Sequence, residues 1–118
     1  MDNDSILISI KKLLGITEEY KHFDTDIIIH INSVLMVLKQ LGVGPAEGYS
    51  IEGANDYWTD FIPGASIAKV NAIKSYVYLK VKLLFDPPLS SSVIEAMNRQ
   101  ISEFEWRLNV EVDPGESE

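Results

Sequence analysis

Two adjacent prolines, Pro87 and Pro88, separate two long apolar runs, and this constrains the fold more than any other feature of the chain. Proline has no N–H and its ring clashes with the preceding turn, so a helix must stop at or before Asp86. Upstream, Val70, Ile73, Val77, Val81 and Leu84 recur at helical spacing, and Tyr76, Leu79 and Leu83 widen that face. Ser66 stands where an N-cap belongs. Downstream, Ile94, Met97, Ile101, Phe104 and Leu108 form a second i, i+3, i+4, i+7 stripe, opened by the Ser90-Ser91-Ser92 run. A firm stop between two amphipathic helices turns the chain back, so the second is predicted to lie antiparallel to the first. Glu95, Arg99, Ser102, Glu103 and Trp106 fall on its other face.

Two helices precede this pair. In "NDSILISIKKLLGI", Asp4 or Ser5 caps a short amphipathic helix over residues 5–14, and Gly15 is a left-handed stop. Ile6, Ile10, Leu13 and Leu14 make its apolar face. In "FDTDIIIHINSVLMVLKQLG", Asp24 is the expected N-cap and Asp26 suits the positive end of the helix dipole. Ile27, Ile31, Val34, Leu38 and Leu41 line one face, Ile28 and Leu35 widen it, and Gly42 ends it. The Ile27-Ile28-Ile29 run alone is compatible with a strand; the length of the pattern and its two ends decide for helix. Apolar residues cover so much of this helix that it is expected to sit centrally.

Residues 42–65 break the pattern, punctuated by Gly42, Gly44, Pro45, Gly48, Gly53, Pro63 and Gly64. A segment this long works or carries short structure of its own. Tyr49-Ser50-Ile51 reads as a brief strand or hairpin arm, and Asp56 to Ile62 as one helical turn that tucks Trp58 and Phe61 or Ile62 onto the core. The expected fold class is all-α: a small bundle of four main helices with a long Gly/Pro-containing loop carrying a short hairpin or helical turn. Residues 1–110 form a single helical domain, and 111–118 a flexible acidic tail around Pro114 and Gly115.

A 118-residue chain that is 46% hydrophobic can bury one core. Cysteine is absent, which excludes disulfides and thiolate metal sites and fits a reducing compartment. The opening residues Met1 to Asp4 lack a cationic stretch before an apolar one, and no apolar run is long enough to span a bilayer. A soluble, intracellular protein is expected, with no membrane partner. The net charge of −8 argues against gripping nucleic acid through its phosphates. Charge is also segregated. Lys69, Lys74, Lys80 and Lys82 lie in a stretch, Phe61 to Phe85, that holds no acid, whereas Glu103, Glu105, Glu111, Asp113, Glu116 and Glu118 crowd the C-terminal end against Arg107 alone. Such asymmetry guides self-association or docking, or forms a solvated surface.

Catalytic chemistry is scarce. His22 and His30 are the only imidazoles, and neither has a partner at metal-ligand spacing. Capping and the helix dipole account for Asp24 and Asp26. Gly42-Val43-Gly44 lacks the Gly-Lys-Ser/Thr ending of a phosphate loop, and Ser90 to Ser92 have no base beside them in sequence. No enzyme, metal or cofactor is expected. Tyr57, Trp58 and Phe61 are either a flap packed on the core or an anchor for a partner. Trp106 either completes a wide core face or meets another chain.

"ILISIKKLLGI", "YVYLKVKLLFDPP" with the serines after it, and "EFEWRLNVEV" together resemble the head–tail connector (adaptor) proteins of long-tailed bacteriophages and prophages. The resemblance extends from about Asp4 to Asp113. It implies a small all-α structural protein, assembled in the bacterial host cytoplasm and resident at the head–tail junction of the virion. There it would join a homo-oligomeric ring, commonly twelvefold, beneath the portal. The ring would extend the DNA channel towards the next connector or tail protein, and DNA would pass without specific binding. Carried over by region, it implies a portal contact at Trp106, Arg107, Asn109, Val110, Glu111, Val112 and Asp113. It implies a subunit or channel contact in Gly44 to Ala54, which includes Gly44, Glu47, Tyr49, Ile51 and Glu52. The basic helix adds Lys74 and Lys82, facing an acidic surface of the next subunit. The alternative is an acidic regulatory module that mimics DNA or inhibits a basic partner. It would require carboxylates spaced along a rigid face, whereas much of the acid here lies in the tail.

Overall fold

The computed structural model describes residues 5–112. Five helices follow in order: α1 (Ile6–Leu14), α2 (Asp24–Gln40), the single turn α3 (Trp58–Phe61), α4 (Ile67–Phe85) and α5 (Ser91–Val112). There is no strand among the described residues, only an isolated antiparallel bridge between Ser5 and Tyr57. The expected all-α bundle of four main helices is what forms.

The helix ends follow local chemistry. Ser5 Oγ accepts the Ile8 N–H at 3.2 Å and Ser66 Oγ accepts that of Lys69 at 3.1 Å, so both serines cap as expected. Asp4 lies outside the described residues. Gly15, at φ 84°, lets its N–H reach Lys12 O while Ile16 N–H reaches Lys11 O. Gly42, at φ 89°, repeats the pattern at the end of α2, with Val43 N–H bonded to Leu38 O at 2.8 Å. Asp86 closes α4 immediately before the prolines.

α4 is the hub. It packs against α1, α2 and α5, and it buries Ile73, Tyr76, Val77, Leu79 and Val81. α5 runs antiparallel along it: Ala72 borders the same hollow as Phe104 and Leu108, and Leu83 the same hollow as Asn98 and Ile101. Within α5 the stripe faces inward, with Met97, Ile101 and Leu108 buried.

Four expectations are corrected. α2 is not the central helix, because its outward residues Ile29 and Met36 are both 57% exposed. Asp24 does not cap α2. It is the first helical residue, the N-cap position falls to Phe23 without a side-chain bond, and the Asp24 carboxylate turns to Lys11 instead. Tyr49-Ser50-Ile51 forms no strand, because the Asn32 side chain takes the place of a neighbouring strand. Ile51 N–H donates to Asn32 Oδ1 at 2.7 Å, and Asn32 Nδ2 donates to Ile51 O at 3.1 Å. α5 continues through Val112 instead of ending near residue 110. The rest of the tail expected over residues 111–118 lies outside the described residues.

Candidate functional site

The loop between α2 and α4 is built from the core outward. Trp58 and Phe61 are each 1% exposed, and Val43, Ile51 and Ile62 are buried with them. Trp58 Nε1 donates to Ser9 Oγ at 2.9 Å, joining α3 to α1. The aromatic cluster is thus a flap packed on the core, with Tyr57 half-buried at its edge. Gly44, at φ 91°, packs so closely on Phe61 that a Cβ there would stand 2.4 Å from the ring. Only glycine satisfies both the backbone angle and that approach. Asp56 gathers the rest. Its Oδ2 accepts the Glu52 N–H at 2.8 Å and the Gly53 N–H at 3.4 Å, and Tyr49 OH donates to Oδ1 at 3.5 Å. Burial first, then the charges of Asp56 and Asp60, push the Tyr49 hydroxyl up to about 12.

Within this loop the expected contact residues divide by burial. Ile51 is buried and fastens the loop, whereas Gly44, Glu47 and Glu52 are exposed and Tyr49 is half-buried. Lys74 and Lys82 lie on α4, half-buried. Lys82 is engaged with Asp86 at 2.9 Å, one turn on, so its charge is locally balanced.

The α4–α5 interface carries a polar contact at its centre. Tyr76, fully buried, donates its hydroxyl to Glu105 Oε2 at 2.8 Å. Lys80 lies 3.6 Å from the same oxygen and 5.7 Å from the Tyr76 ring centroid. Burial, then the hydrogen bond to Glu105 and that carboxylate's charge, raise the Tyr76 hydroxyl well above its ordinary range. On the opposite side of α5, Trp106 is 67% exposed. It stands half a turn from the buried stripe, so it does not complete the core. Arg107 and Glu103 pair beside it at 3.2 Å, and Asn109 is exposed next to them. Val110, Glu111 and Val112 continue the helical backbone, and Asp113 lies outside the described residues. Arg107 and the loop residues Gly44 and Pro45 border two hollows that share Lys69, so the loop and the C-terminal part of α5 lie towards one end of α4, whereas Lys82 lies in its last turn at the other.

Sequence reasoning missed three residues that hold these surfaces in place. Lys11 is 1% exposed, and its ammonium donates to Glu18 O at 3.1 Å and Tyr20 O at 2.8 Å and pairs with Asp24 Oδ1 at 2.8 Å. The Asp24 oxygen meets that cation as a charge pair without an aligned hydrogen bond. A cation this deep requires such a set, because burying it unpaired costs several kcal/mol. The signal was present: Lys11 falls on the apolar side of α1, beside Leu7 and Ile10. Asn32 and Glu105 gave weaker signals, each a polar residue at the edge of an apolar stripe. Among the described residues no group of three or more His, Asp or Glu could hold a metal ion. No helix among them is long and apolar enough to cross a membrane.

A family model described as phage connector protein matches residues 6–115. The chain belongs to the phage connector family. The match takes in every helix described above, and it accords with the resemblance read from the sequence. No curated protein and no solved structure matches the chain. Membership gives this protein a structural connector role in a phage, in a family that is structural, and implies association with other head and tail proteins at the junction between them.

Proposed function

We propose that this connector joins a homo-oligomeric ring beneath the portal and extends the DNA channel towards the next connector or tail protein. The family match along nearly the whole chain carries the reading. The surfaces support it. Trp106, Arg107 and Asn109 stand exposed on the outer side of α5 and offer the portal an aromatic anchor flanked by hydrogen-bonding groups. Val110, Glu111, Val112 and Asp113 continue that contact. Gly44, Glu47, Tyr49 and Glu52 ride on a loop held by Asn32, Asp56 and the buried aromatics, and Ile51 is its internal fastening. This loop meets a neighbouring subunit or the channel, together with Lys74 and Lys82. A ring multiplies the charge of −8, and an acidic lumen would repel DNA and let it slide.

Light scattering across concentration, on the protein alone and mixed with the portal of its own phage, tests the reading. A ring-sized species in either sample is expected. A monomer in both, without portal binding, would overturn ring assembly. Salt-sensitive binding to a basic protein in its place would favour the acidic regulatory module.

A further inference from the structure

A groove of about 280 Å3 runs between α2, α4 and α5, walled by Val34, Val37, Leu83, Leu84 and Ile101. Lys80 is the one charged residue in its wall, and no carboxylate lines it. Leu84 is 53% exposed at its edge, and Ile29 is exposed on the outward side of α2. A helix that is apolar on most sides is normally covered. Among the described residues none covers Ile29 or Leu84.

The distribution of charge names the occupant. Residues Gln40 to Ala68 hold four acids, Glu47, Glu52, Asp56 and Asp60, and no Lys or Arg. This acidic segment ends in a small apolar tip, with Pro45 half-buried and Ala46 and Glu47 exposed. The tip is stiff. Gly48 N–H closes a turn onto Pro45 O at 2.9 Å, Gly44 is set against Phe61, and Asn32 clamps Ile51. A preformed tip gives up little conformational freedom on docking.

Tip and groove lie apart within one chain. Asn32 and Lys39, on one flank of α2, border the hollow beside the loop, whereas Val34 and Val37, on the other flank, border the groove. Along α4 the loop borders Lys69 and the groove borders Lys80 to Leu84, about 16 to 22 Å away at the helical rise per residue.

We infer that the α2–α4–α5 groove receives the Pro45–Glu47 tip of a second copy of this chain. The inference rests on the ring reading and adds the surface through which subunits meet. Pro45 and Ala46 lie against Val37, Leu83 and Leu84, and Glu47 shares Lys80 with Glu105. Because the two patches differ, the contact repeats head to tail and closes into a ring where the rotation permits.

The absence of cysteine makes the test direct. The full chain carrying both Ala46→Cys and Leu84→Cys, alone or on the portal, is expected to give a ladder of covalent oligomers under mild oxidation. Ala46→Cys with Thr17→Cys, on the α1–α2 corner, is expected to give none. Leu84→Asp and Glu47→Lys, both at exposed positions, are each expected to weaken self-association about tenfold while thermal unfolding stays unchanged. If the wild type forms rings but the first pair gives no ladder and neither substitution weakens assembly, the groove contact is overturned and the ring reading stands. A wild type that remains monomeric alone and with the portal overturns both.

Discussion

The loop between α2 and α4 and the helix α5 reverse the usual relation between regular structure and anchorage. The loop has one helical turn, yet it sends Val43, Ile51, Trp58, Phe61 and Ile62 into the core and hangs its backbone on Asn32 and Asp56. α5 is 22 residues of helix, yet of its described side chains only Met97, Ile101 and Leu108 are buried, and it packs chiefly on α4. A helix satisfies its own backbone and can be held by a narrow stripe. A loop cannot, so each of its buried N–H and C=O groups needs a partner from elsewhere. In this connector the irregular segment is fastened through the core, and the regular segment is held along one stripe and the Tyr76–Glu105 contact.

Trp58→Ala tests the loop most severely. It removes a fully buried indole and its bond to Ser9, and it should lower unfolding stability by about 4 kcal/mol in a denaturant titration. A loss below about 1 kcal/mol would mean the loop is not fastened through its core residues.

Asn32→Ala should cost about 2 kcal/mol, because the N–H of the buried Ile51 is left without its side-chain partner. Helical circular dichroism should be retained while proteolysis between Gly44 and Asn55 quickens. Unchanged proteolysis would show that Asp56 and the aromatics hold the loop without the clamp.

Tyr76→Phe tests α5 and should cost about 1 kcal/mol near neutral pH. The folded-state pKa of Tyr76 is raised above its ordinary value of 10.0. Its stabilising contribution is therefore full below pH 10 and is lost as pH rises through the raised folded value. Tyr49, pushed up to about 12, acts in the same direction. The wild type should lose stability progressively above pH 10, and Tyr76→Phe should flatten part of that loss. An identical alkaline slope in the variant would remove Tyr76 from the account.

The smallest effect needs no substitution. In hydrogen exchange the Ile51 amide should outlast the α5 amides around Ser102 and Glu103, since release of α5 from α4 opens a whole helix at once. The opposite order would break the comparison.

Local residues were sufficient for the helices. Ser5, Gly15, Gly42, Ser66 and the Asp86-Pro87-Pro88 stop act on backbone within a few residues of themselves, so their effects could be read without a fold. The inward stripe of α5 was legible for the same reason, since 3.6-residue periodicity is local. The candidate contact regions were legible only as stretches of chain. Which of their members face outward depends on what packs beneath them, so Ile51 could be assigned to the loop but not recognised as its fastening.

The sequence by itself determined the helix ends at Ser5, Gly15, Gly42, Ser66 and Asp86, the length of the loop and the separation of acidic from basic segments, because propensity, capping and charge belong to individual residues and their near neighbours. Only the tertiary structure decided that α4, not α2, is the hub, that Asp24 turns from its helix end to a buried Lys11, that Asn32 replaces a strand, and that Trp106 faces solvent. Each of these depends on residues far apart in the chain, and two of them are polar pairings. Such partners are chosen by the requirement that every buried polar or charged group find a mate, and that requirement exists only once the core has closed.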